Sequence, residues 1–160
     1  MIRQATTKDF NFICDLYFNP QINPFLLYEM MDSRAFRPIF TALQKKNALF
    51  IFEKEGEKIG MFKLLPCTYR NTHVVYLGGV AIHPVHSGKG LGIEMLEDIV
   101  KLAKERGFLR VELTTATFNE KAIHIYEKVG FKQEGILRNF TFLQSENRYI
   151  DETVMAILLN

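Results

Sequence analysis

Residues 73–115 carry the pattern that most limits how this chain can fold. Residues 73–82 are rich in Val and Gly and read as a strand. From 90 to 106, Leu91, Met95, Leu96, Ile99, Leu102 and Ala103 recur at helical spacing, and Glu97 and Lys101 add an i,i+4 pair in the favoured order. Gly107 ends that helix, and residues 109–115 return to strand. A strand, a long helix and a strand in that order imply one parallel crossover. The neighbouring segments are antiparallel in pattern. Strands at 48–54 and 58–69 flank a turn at 55–57, and Arg70-Asn71-Thr72 turns the chain into the strand at 73–82. Strands at 131–140 and 149–158 flank a polar loop at 144–147. With a short strand at 2–5, the chain reads as an α+β domain with a mixed, mostly antiparallel sheet of about seven strands.

The remaining helices are local signals. Thr7 is a candidate N-cap for a helix over 8–18, with Ile13, Leu16 and Tyr17 inward and Asn19-Pro20 as its stop. Residues 20–33 are aromatic and poorly periodic, so they read as a loop or a short helix. Ser33 is a candidate cap for a helix to about 46, with Phe36, Ile39, Phe40 and Leu43 at helical spacing. The 160 residues fit one domain, 1–160, with room for a substantial core.

Composition removes several function classes. The formal net charge is +2 with Lys and Arg scattered, which argues against a nucleic-acid partner. No apolar run approaches the roughly 20 residues of a membrane span, and MIRQATTKDF does not read as a signal peptide, so no membrane partner is expected. Cys14 and Cys67 stand alone in apolar surroundings and read as two buried thiols, consistent with a cytoplasmic setting. His73, His83, His86 and His124 lack metal-ligand spacing, so no metal is expected.

The segment HPVHSGKGLG, 83–92, joins the strand to the long helix. Gly88, Gly90 and Gly92 let the backbone approach a ligand, and the first turn of a helix offers unpaired N–H groups and a positive dipole end. That combination suits a pyrophosphate. A P-loop would need Ser or Thr after the Lys and a glycine five residues before it, but Gly90 follows Lys89 and Pro84 precedes it. A dinucleotide fingerprint would need a third glycine where Ile93 stands. A strand-to-helix turn without a ligand is the plain alternative.

A second segment, NEKAIHIYEKVGF at 119–131, reads as a short helix. Asn119 is placed to cap it, Ala122, Ile125, Tyr126 and Val129 lie along one face, and Gly130 stops it. Alone, Tyr126 reads as a packed core tyrosine.

Together, Val80-Ala81-Ile82-His83-Pro84 followed by Ser87-Gly88-Lys89-Gly90-Leu91-Gly92, and then Asn119, Ala122, Tyr126 and Gly130-Phe131, resemble the two motifs of the GNAT superfamily of N-acetyltransferases. RVELTTATFNEKAI, EGILR and RYIDETVMAILL look like its branch that acetylates amino acids and other small amines. The resemblance implies a three-layer α-β-α fold whose sheet splays at its one parallel pair. It implies acetyl-CoA as co-substrate, with the pantetheine arm paired to the backbone of Val80, Ala81 and Ile82 like an added strand. One N–H there would face the thioester oxygen. Ser87, Gly88, Lys89, Gly90, Leu91 and Gly92 would hold the pyrophosphate. Asn119 would lie near the pantetheine, and Tyr126 would protonate the leaving thiolate. Ser87 stands where the family usually has Gln or Arg, which implies weaker cofactor affinity unless Lys89 or His86 compensates.

Many relatives carry a Glu on the strand before the glycine turn; here that stretch is Tyr76-Leu77-Gly78-Gly79. Glu112, Glu134, Asp151 and His83 are candidates, and no base is assigned among them. Among the aromatics of residues 10–40, Phe25, Leu26 and Tyr28 either wall an acceptor pocket or pack in the core with Phe10, Phe36 and Phe40. The expected partner is a small amine acceptor. A protein or peptide N-terminus, a non-catalytic acetyl-CoA sensor and a homodimer stay open.

Overall fold

A computed structural model describes all 160 residues. Seven strands form one sheet in the order β1-β2-β3-β4-β5-β7-β6. They are β1 (Ile2–Gln4), β2 (Leu49–Lys54), β3 (Glu57–Pro66), β4 (Val74–Ile82), β5 (Arg110–Ala116), β6 (Lys132–Leu143) and β7 (Arg148–Leu158). Only β4 and β5 run parallel. The crossover between them is α4 (Leu91–Glu105), as the change of period implied.

Strand alternation sorts side chains to the two sheet faces. On one face, Phe50, Phe62, Leu64, Val75, Leu77, Val111, Leu113 and Met155 pack under α4 and α5 (Glu120–Val129). On the other, Leu49, Ile51, Met61 and Ala81 pack under α1 (Phe10–Tyr17) and α3 (Ser33–Lys45). The result is the expected helix–sheet–helix layering. Phe10, Phe36 and Phe40 belong to the second core, which settles their role as packing.

Several boundaries differ from the sequence reading. Thr6, not Thr7, starts the first helical turn, because Asp9 accepts from the Thr6 amide at 2.8 Å and the α-helix proper begins at Phe10. Asp32 caps α3 by accepting from the Ala35 amide at 2.8 Å, so Ser33 is already inside the helix. β3 ends at Pro66, where a residue without an N–H closes the ladder. Residues 20–33 contain one short helix, α2 (Asn23–Leu26), started by Pro24. β6 runs on to Leu143, past a register shift between Leu137 and Thr141. Cys14 is buried, but Cys67 is only half-buried.

Candidate active site

The central feature is a gap in the sheet. β4 and β5 pair only at Val74–Arg110, Val75–Val111 and Tyr76–Glu112, although β4 continues to Ile82 and β5 to Ala116. Beyond Tyr76 the strands diverge, and the edge of β4 facing β5 carries backbone groups with no strand partner. β4 also bulges against β3. Met61 opposes Ala81 while Lys63 opposes Gly78, so Gly79 and Val80 together face Phe62. Gly79 takes φ +57°, a left-handed value that glycine adopts without strain.

Register decides which backbone groups face the gap. The His83 amide donates to the Ile59 carbonyl at 2.8 Å. Antiparallel partners alternate between facing the neighbouring strand and facing away. Ala81 is therefore turned to β3, while the amides and carbonyls of Val80 and Ile82 point into the gap. Val80 and Ile82 line the cavity there, whereas the Ala81 side chain belongs to the core under α1. Of the three residues read from sequence as a backbone platform, two face the opening.

The cavity between the diverging strands holds about 610 Å³. On the α5 side its wall includes Asn119, Ala122 and Tyr126, the last two one helical turn apart on the same face. Tyr126 is buried against Phe131, ring centroids 5.8 Å apart. Burial holds its phenol pKa well above the ordinary value, so the hydroxyl keeps its proton and can donate. Asn119 occupies the N-cap position of α5, but its side chain does not cap. Its Nδ2 donates to Thr115 Oγ1 at 3.2 Å and ties the helix start to the end of β5.

The glycine turn lies beyond the end of β4 and does not line this cavity. Gly88 and Gly90 take φ +76° and +77°, and a methyl on either would meet nothing within 4 Å. These glycines are therefore used for backbone shape. Gly90 caps α4 without a side chain, and its carbonyl accepts from Ile93 and Glu94. The Leu91 and Gly92 amides are left without a protein partner at the positive end of a 15-residue helix. Ser87, Gly88, Lys89 and Gly90 are all exposed. His86 is buried and lies 3.4 Å from Glu57, so it does not replace the missing long side chain at Ser87.

None of the four base candidates lines the cavity. Glu112 and Glu134 are both bound to Arg110, at 3.1 and 2.5 Å. Asp151 accepts from the Asn139 amide, and His83 Nδ1 from the Val85 amide. Two other carboxylates line the cavity: Glu120, exposed at the start of α5, and Glu152, only 6% exposed. Burial raises its pKa, opposed by hydrogen bonds from Thr141 and Thr114. Thr114 in turn lies 3.1 Å from the Tyr76 hydroxyl. Tyr76 and Thr114 are thus joined across β4 and β5, and Glu152 of β7 lines the same cavity. A signal existed in sequence: Ile150, Glu152, Val154 and Ala156 share one strand face, and Glu152 is the only charge in that apolar series.

Lys63 was missed in the same way, as the charge between Met61 and Leu65 on β3. It lines the cavity, and burial lowers its pKa. α2 contributes Phe25 and Leu26 to the wall, so for those two the pocket alternative holds over core packing. Tyr28 instead packs on Tyr17, ring centroids 5.1 Å apart. Phe25 and Phe118 approach from opposite rims, their rings 6.5 Å apart, and roof part of the opening. No group of three or more His, Cys, Asp or Glu is arranged to hold a metal, and no helix is long and apolar enough to cross a membrane.

Residues 10–131 match the model of the acetyltransferase (GNAT) family. A spermidine N(1)-acetyltransferase of Escherichia coli K12 is 34% identical over 104 residues, which are 62% of this chain and 53% of that protein. This chain spans little more than half the length of the first curated relatives it matches. Among solved structures, spermidine N-acetyltransferase from Vibrio cholerae in complex with CoA and spermine aligns with a TM-score of 0.85 at 25% identity, covering 99% of this chain and 95% of the other. A ribosomal-protein-alanine N-acetyltransferase from Brucella melitensis aligns at 0.81 and 20% identity over 99% of both chains, a likeness of fold.

Proposed function

The chain belongs to the GNAT acetyltransferase family, and on that premise we propose that it is an acetyl-CoA-dependent N-acetyltransferase acting on the primary amine of a small acceptor. One observation carries the reading. β4 leaves β5 after Tyr76 and bulges at Gly79–Val80, opening a backbone edge onto the cavity that Tyr126 lines.

The chain's residues suit the cofactor in two places. The free edge at Val80 and Ile82 offers donors and acceptors to the pantetheine amides, as an added strand would. The unpartnered Leu91 and Gly92 amides, with Gly88 and Gly90 shaping the turn and Ser87 and Lys89 beside it, offer a seat for the pyrophosphate. Bound there, acetyl-CoA supplies the thioester carbon that the amine attacks.

The protein's part is proton handling and positioning. An ordinary amine is protonated near neutral pH and must lose a proton before it attacks. Of the two carboxylates that line the cavity, Glu152 is the buried one, near Tyr76 and Thr114, and is placed to receive it. Tyr126, held protonated by burial, gives its proton to the departing sulfur. Asn119 fixes the start of α5 against β5 and so helps set the Tyr126 position. The Phe25–Phe118 roof favours a compact acceptor over a long peptide. Two unpaired cysteines fit a reducing, cytoplasmic compartment.

Calorimetry with CoA, followed by a thiol-release assay over a panel of amines, tests the reading. Micromolar uptake of CoA with acceptor-dependent thiol release is expected. Tight CoA uptake with no release from any acceptor would instead mark a sensor.

A further inference from the structure

The roof of the cavity hangs on a contact between segments far apart in the chain. The arm that carries α2 supplies Gln21, Phe25, Leu26 and Leu27 to the cavity wall. A helix of four residues does not hold its own shape in water, so tertiary contacts must fix this arm. At its inner end the buried Asn23 does so, its Nδ2 donating to the carbonyls of Tyr17 and Tyr28, each at 2.8 Å. At its outer end Glu29 Oε1 accepts from the Gln144 amide at 2.6 Å and from the Ser145 amide at 3.4 Å. Those two residues open the single helical turn (Gln144–Glu146) between β6 and β7. The leading N–H groups of such a turn have no partner within it, and a carboxylate suits them.

The same hairpin also reaches the other half of the roof. Arg148, at the start of β7, sets its guanidinium 5.8 Å from the centre of the Phe118 ring, and Phe118 faces Phe25 across the opening at 6.5 Å. One hairpin end thus touches both rims, the α2 arm through Glu29 and Phe118 through Arg148. The Glu29 contact is open to solvent, so water replaces it when it is lost. The fold as a whole then loses little, while the arm is released locally. Glu29 itself does not line the cavity. We propose that Glu29 is a positioning residue for the acceptor site: by gripping the β6–β7 turn it holds Phe25 over the opening opposite Phe118 and so sets the preference for a compact amine over a peptide. The inference rests on the acetyltransferase reading and names what decides acceptor size at that site.

The test uses 3-methylbutylamine as a compact amine and hexaalanine as a peptide with a free N-terminus. With the intact protein, kcat/KM in thiol release is expected to be higher for 3-methylbutylamine. Losing a charge-assisted contact to two amides corresponds to about tenfold in the balance between closed and open roof. Glu29→Ala is therefore expected to raise KM for 3-methylbutylamine by that factor, with kcat, CoA affinity and hexaalanine turnover little changed. Glu29→Gln, which keeps an acceptor oxygen without the charge, gives a smaller change in the same direction. Two readouts do not depend on turnover. Amide exchange over residues 23–29 and 144–148 is expected to quicken in Glu29→Ala while the sheet core and the urea midpoint stay as they are. Calorimetric binding of 3-methylbutylamine to the CoA-loaded protein is expected to weaken. Both of those changes without turnover by any form would keep the role of Glu29 and overturn the transferase reading. Unchanged exchange in the two segments, unchanged KM and binding, equal KM changes for both acceptors, a hexaalanine preference in the intact protein, or faster exchange throughout the sheet with a lowered midpoint would each overturn the role of Glu29.

Discussion

The Tyr76 hydroxyl lies 3.1 Å from Thr114 Oγ1 and joins β4 to β5 where their backbone ladder stops. The last backbone pair is Tyr76 with Glu112, and the side-chain contact reaches one step further into the gap. A hydrogen bond at the apex of two diverging strands fixes where the opening begins. Thr114 and Tyr76 line the cavity together with Glu152, so the same contact lies beside the buried carboxylate.

Tyr126→Phe removes a hydroxyl and almost no volume. If that hydroxyl protonates the leaving sulfur, kcat should fall roughly 10²-fold or more, the scale of general acid catalysis. CoA affinity by calorimetry should change little. Undiminished kcat would remove Tyr126 from that role.

Glu152→Gln should separate activity from stability. As the base, Glu152 gives kcat/KM an acid limb, falling below a pKa raised above the ordinary glutamate value. The Gln variant should lose that limb and much of the rate. For stability the sign is opposite. A carboxyl with a raised folded pKa binds its proton more tightly folded than unfolded. Its contribution is full below the unfolded value of about 4.3 and is lost as pH rises through the folded value. Ionised Glu152 therefore weakens the fold at neutral pH, and Glu152→Gln should raise the urea midpoint there while lowering turnover.

Gly79→Ala should damage the bulge. Its φ of +57° is unfavourable for a residue with a Cβ, and the new methyl would stand 2.6 Å from the Tyr17 hydroxyl. The left-handed conformation alone costs about 1–2 kcal/mol. A lowered urea midpoint with an unchanged m-value is expected, together with weakened CoA uptake as the free edge shifts. Wild-type stability in this variant would argue against a tightly held bulge.

Asp9 should govern acid sensitivity. It is 1% exposed, with Arg3 at 2.7 Å and Lys58 at 2.8 Å. Burial alone would raise its pKa, but the hydrogen bonds from Arg3, Lys58 and Thr6 win and hold it below the carboxylate range. The stability it contributes is present above the unfolded value of about 3.9 and is lost as pH falls toward the folded value. Asp9→Asn should cost about 3 kcal/mol at neutral pH, the low end for breaking a buried pair, since both cations stay partly hydrated. Urea midpoints across pH 2–7 should fall steeply at the acid end for the wild type and more gently for Asp9→Asn.

The local chemistry was legible along the chain. The change of period across β4, α4 and β5 was enough to identify one parallel crossover, and Gly88 and Gly90 marked the turn that opens α4, because these signals depend on residues a few positions apart. Tyr126 could be placed on the inward face of its helix for the same reason. What alternation could not reveal was which strand would lie beside which, and in what register. Asp151 and Glu152 are neighbours in sequence, yet one accepts an exposed backbone amide and the other faces the cavity. That difference arises because β7 inserts between β5 and β6 with Glu152 opposite Ala116. Likewise, only the bulge against β3 turns Ala81 away from the gap and brings Lys63 and Tyr17 together at Gly79. Helix and turn signals are short-range and survive in the sequence, whereas register is settled by packing between segments far apart in the chain.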